Sequence, residues 1–119
     1  MVAEYRRLLF SSSELESAIV AFNREKSRKL PVGDIAVIEI VDEPNLRARI
    51  RIGNAYDSSQ DQEVDLEAEY LVAAMLYHCR QQQIPVPKSP KKIVKRSDQG
   101  VEMSFSINAD SDLAQEQTQ

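Results

Sequence analysis

Apolar and polar positions along the chain follow two periods, and their succession predicts seven elements in the order β-α-β-β-α-β-β. Residues 4–10 (EYRRLLF) form a compact run with aromatic residues near both ends, a strand. Three serines then open a helix. With Ser11 as N-cap, Glu14 completes a capping box and Phe10 meets Leu15 as a hydrophobic staple; Ser13 with Glu16 offers a start two residues later. Leu15, Ala18, Ile19 and Phe22 fall on one stripe, and the cations Arg24, Lys26, Arg28 and Lys29 suit a helix C-terminus. Pro31 and Gly33 end it.

Residues 35–41 (IAVIEIV) are β-branched and nearly all apolar, the composition of a central strand. The turn signal Asp42-Glu43-Pro44-Asn45 leads into residues 46–52 (LRARIRI). Here Leu46, Ala48, Ile50 and Ile52 face one way and Arg47, Arg49 and Arg51 the other, so the pair reads as a hairpin. Residues 53–64 are polar and turn-rich, a long loop by composition. A second helix is predicted over 65–83, with Asp65 as its cap and an all-round apolar stretch at 70–77 (YLVAAMLY). Pro85, Pro87 and Pro90 keep residues 84–90 extended. Two strands, 91–96 and 101–107, flank a turn at Ser97-Asp98-Gln99-Gly100.

These elements imply an α+β two-layer sandwich: a mostly antiparallel sheet with both helices on one face and the other face polar. The first six match the order of a ferredoxin-like split βαβ unit, with one strand appended. Residues 1–107 are expected to form a single domain, and 108–119, with little to bury, a disordered tail. Leu15, Ile19, Phe22, Ile38, Ile40, Ile50, Leu76, Met103 and Phe105 are the expected core.

Composition narrows the classes. Hydrophobic residues make up 42% of the 119 and charged residues 29%, which suits a packed domain. A lone cysteine, Cys79, excludes an internal disulfide and a cysteine cage for metal. No run reaches the length of a membrane span, and the N-terminal MVAEYRRLLF lacks the order of a secretory leader, so a cytoplasmic protein without a membrane partner is expected. The net charge of −4 is unevenly spread. Asp57, Asp61, Glu63, Asp65, Glu67 and Glu69 crowd residues 57–69 without a base; Arg80, Lys88, Lys91, Lys92, Lys95 and Arg96 crowd 80–96 without an acid. Such segregation builds either a docking surface or charge that complements a helix dipole.

Catalytic patterns are weak. His78 and Cys79 are adjacent on a helix and point about 100° apart, so they form no dyad. The spacing Asp57-x-Ser59-x-Asp61-x-Glu63-x-Asp65 imitates a calcium loop, but Gln62 and Ala68 stand where glycine and a bidentate glutamate are required. Gly33, Gly53 and Gly100 are isolated, so no phosphate cradle is encoded. No catalytic residue, cofactor or metal is expected.

The leading expectation is a non-enzymatic protein-interaction or regulatory module that works through its sheet surface, with a protein partner or self-association. The candidate surface comprises Arg47, Arg49, Arg51, Lys91, Lys92, Lys95 and Arg96. The same cations define the alternative, a nucleic-acid-binding module, although the arginine strand lacks the aromatic residues on which bases stack. Against it stands cross-strand pairing of the arginines with Glu39 and Glu102. A small ligand-binding domain or enzyme with a site assembled across segments is the third reading.

Overall fold

A computed structural model describes residues 3–53, 56, 61–86 and 92–108. In chain order the elements are β1 (Ala3–Ser11), α1 (Ser12–Glu25), β2 (Asp34–Val41), β3 (Arg47–Gly53), β4 (Gln62–Glu67), α2 (Ala68–Gln81), β5 (Lys92–Ser97) and β6 (Gly100–Asn108). The strands form two antiparallel three-stranded sheets, β1-β6-β5 and β2-β3-β4. The α+β class and antiparallel pairing agree with the sequence pattern. Two features go beyond it: a sixth strand, and the division of the strands into two sheets.

The extra strand replaces the end of the expected loop and the first turn of the expected second helix. Residues 62–67 (QEVDLE) alternate, placing Val64 and Leu66 opposite Ile50 and Ala48, and Glu63, Asp65 and Glu67 opposite Arg51, Arg49 and Arg47. Apolar burial on one face and opposite charges on the other both favour this pairing. The acids therefore serve a strand, not a helix dipole. The second helix starts at Ala68, after an N-cap residue, Glu67, that makes no side-chain cap bond.

α1 begins where the serines predict. Ser11 Oγ accepts from the Glu14 N–H at 3.2 Å while Glu14 Oε1 accepts from the Ser11 N–H at 3.0 Å, a complete capping box. α2 ends on Gln82, and Gln83 then takes the left-handed region at φ 59°. The Ile84 N–H bonds the Cys79 carbonyl at 2.8 Å and the Gln83 N–H that of Arg80 at 3.2 Å, a Schellman closure without its usual glycine.

Both sheets and both helices contribute to one core, including Leu15, Ile19, Ile50, Leu66, Leu71, Met75, Met103 and Phe105, each at most 2% exposed. α1 and α2 pack against each other; Phe22 meets the rings of Tyr70 and Tyr77 edge-on at 5.1 and 5.8 Å. Tyr70 also ties the segment after α1 to α2, donating its hydroxyl to the Ser27 carbonyl at 2.8 Å. Phe22, Ile38, Ile40 and Leu76, expected inside, are only partly covered.

The position of β2 explains two of these. Its composition suits a central strand, yet β3 is its sole hydrogen-bonded neighbour among the described residues, and it lies at a sheet edge. Gly33 precedes it with φ 144°; a Cβ there would approach the Ile52 side chain to 2.5 Å and the Gly53 carbonyl to 2.9 Å. Glycine thus admits the close crossing at the start of β2. Residues 109–119, the greater part of the expected tail, lie outside the described residues, as do Asp57, Ser59, Lys88 and Lys91.

Candidate interaction surface

The arginine row sits on β3, the middle strand of its sheet. Ala48, Ile50 and Ile52 are at most 3% exposed, so Arg47, Arg49 and Arg51 point to the opposite, open face. Register places Val41, Glu39 and Val37 of β2 beside them on one side, and Glu67, Asp65 and Glu63 of β4 on the other. Arg49 lies 3.6 Å from Glu39, 3.5 Å from Glu63 and 3.4 Å from Asp65; Arg47 lies 3.5 Å from Asp65. Arg47 also donates to the carbonyls of Glu43 and Asn45. Arg51 is exposed and has no ion-pair partner among the described residues. The face carries three cations against four carboxylates, so its charge is largely cancelled in place.

The other candidate cations do not join this row. Lys95 stands on the outward face of β5, 3.6 Å from Glu102. Arg96 points to the opposite face of that strand and lies 3.6 Å from Asp42, at the far end of β2. Lys92 shares the register side of Arg96, and Lys91 lies outside the described residues. The expected pairing with Glu39 is present. Glu102, however, is met chiefly by Arg7, which donates Nε and a terminal nitrogen to Oε1 at 3.1 and 2.5 Å.

Glu102 is 2% exposed although it points outward, because Arg7, Leu9 and Lys95 lie beside it. The hydrogen bond from Arg7 holds its carboxyl below the ordinary carboxylate range. Around this pair, Tyr5, Leu9 and Ile93 are 64%, 62% and 56% exposed. Alternation predicts that Glu102 points outward, but Arg7 sits in a different segment and no local signal joins them.

β2 supplies the least guarded edge. A groove of about 480 Å³ crosses the open face from β2 to β4, lined by residues 37–40 and by Arg49, Arg51 and Glu63. Val37 is 45% exposed, and Ile35, Ile38 and Ile40 face the core with only partial cover. By contrast, β1 carries Glu4, Arg6 and Arg7, β4 carries Glu63, Asp65 and Glu67, and β5 carries Lys92, Lys95 and Arg96. Charges of this kind discourage a further strand from pairing. Between Ile35 and Val41, β2 has Glu39 alone.

His78 and Cys79 do not form a reactive pair. His78 meets the Phe10 ring edge-on at 5.5 Å, while Cys79 is 1% exposed and burial pushes its thiol up. Among the described residues no group of three or more histidines, cysteines or carboxylates is placed to hold a metal ion, and no helix is long and apolar enough to cross a membrane. Comparison with protein-family models, curated proteins and solved structures gives no match.

Proposed function

We propose that this chain is a non-enzymatic protein-interaction module whose docking element is the outer edge of β2. One observation carries the reading: among the described residues, a strand with the sequence IAVIEIV has a hydrogen-bonded neighbour on one side only. Its free edge offers backbone donors and acceptors to an added strand, and the half-covered isoleucines offer apolar area. Strand addition needs no catalytic group.

The arginine row supports a protein partner better than a nucleic acid. Counterion release requires cations free to neutralise phosphates. Arg47 and Arg49 are already engaged by Asp65, Glu39 and Glu63.

A photo-activated cross-linking residue placed at Val37 tests the reading in the cells that make the protein. Val20 on α1, 40% exposed against 45% for Val37, is the matched control. Protein adducts are expected from Val37 and not from Val20. Adduct yield at Val37 no greater than at the control would overturn the proposal.

A further inference from the structure

We infer that the partner of β2 is β2 of a second copy, paired antiparallel about a two-fold axis at Ile38, so that two three-stranded sheets join into one of six. The inference rests on β2 being the docking edge and names what docks there.

The composition of β2 does not match its position. Ile52 and Ile50 on β3 are at most 3% exposed, while their register mates Ile35 and Ile38 on β2 remain partly open. The difference is the missing second neighbour. A copy of the same strand sets a second Ile38 against Ile38 on the core face, which a polar peptide does not.

Charge also favours a second copy. In the pairing centred on Ile38, Ile38 lies opposite the partner's Ile38 and Val37 lies opposite the partner's Glu39. On its other side Val37 lies opposite Arg51. The row Arg51, Val37, partner's Glu39 spans two strand spacings, roughly 10 Å between the outer α carbons, a gap that an arginine and a glutamate close. Arg51, without an ion-pair partner among the described residues, thereby gains one. Symmetry makes the contact twice.

Alternative registers fit less well. Centring the axis on Glu39 sets two carboxylates directly opposite, a destabilising cross-strand pair. Sliding towards the N-terminal end meets the register shift between Ile35 and Val37, where the alternation of faces breaks. The Ile38 register joins residues 36–40, reaching the register shift only at its last residue, Ala36.

Sedimentation velocity over low-micromolar to several-hundred-micromolar protein tests the inference. A reversible dimer is expected for the native chain, and Ile38→Lys is expected to abolish it. Glu39→Lys and Arg51→Glu are surface changes that leave the core intact, and circular dichroism verifies their folding. Each should dimerise about tenfold more weakly than the native chain. Mixed together, they restore both ion pairs, Arg51 with Glu39 in one direction and the introduced glutamate with the introduced lysine in the other. The mixture should therefore recover affinity to within about threefold of the native chain. A native chain that stays monomeric overturns the second copy. So does a dimer indifferent to Ile38→Lys, or charge variants that do not complement each other. If cross-links at Val37 then contain a different protein, β2 remains the docking edge and only its pairing with a second copy fails.

Discussion

Ile38 and Ile50 offer a controlled comparison, because they are the same residue type, face the same core and lie directly opposite in register. Ile50 is 0% exposed in the middle strand, and Ile38 is partly covered in the edge strand. Ile50→Ala removes three carbons from a closed environment. At roughly 0.8 kcal/mol per buried carbon that is about 2.4 kcal/mol, rising to about 3–4 where a void persists between β3 and α2. Ile38→Ala removes the same carbons from a site already open on one side, at a cost of about 1–1.5 kcal/mol in the monomer. With an unfolding entropy near 2.1 cal/mol/K per residue, each kcal/mol lowers the melting temperature by about 4–5 °C. Urea unfolding followed by far-ultraviolet circular dichroism measures both variants in dilute protein. Equal losses for the two, or less than about 1 kcal/mol for Ile50→Ala, would refute the assignment of centre and edge. At high concentration the Ile38→Ala deficit should widen, because the native chain alone gains the stability of the dimer.

Four further outcomes are expected. Gln83→Gly should stabilise the chain by about 0.5–1 kcal/mol in thermal melts, since glycine adopts the left-handed closure of α2 without strain. Ser11→Ala breaks the capping box of α1 and should cost about 1 kcal/mol in the same assay. Glu14, held low by the Ser11 backbone, and Glu102, held low by Arg7, both titrate below their unfolded values. Their stabilisation is thus complete above about pH 4.5 and is lost as pH falls through the folded values, so the gap between the native chain and Glu102→Gln should narrow in acid. Single-stranded RNA at low ionic strength should show no binding by fluorescence anisotropy; tight binding that collapses with added salt would contradict the cancelled arginine face.

The elements legible in the sequence are those whose signals are local. The capping box at Ser11 and Glu14, the alternation of 46–52, the strand at 101–107 and the apolar run in α2 each predict what is found. β4 escaped because QEVDLE mixes two messages. Acids before an apolar helix resemble a cap, and their true complement, Arg47, Arg49 and Arg51, lies more than ten residues away along the chain. The end of α2 escaped because Gln83 does the work of a glycine. The candidate surface was legible in part. Arg47, Arg49 and Arg51 share a face as alternation requires, but their neutralisation depends on β4. The basic residues 92–96 belong to a different sheet, a fact that strand pairing alone decides. The apolar composition of β2 points to two neighbours, and the described residues supply one.

Backbone amide exchange along β2 tests that remaining neighbour most directly. The native chain is compared at dilute and concentrated protein, with β1, β4 and β5 as internal controls at their own free edges. Slower exchange confined to residues 36–40 on concentration is the predicted result. Exchange there that stays fast at every concentration, or slows equally at all four edges, would contradict the pairing.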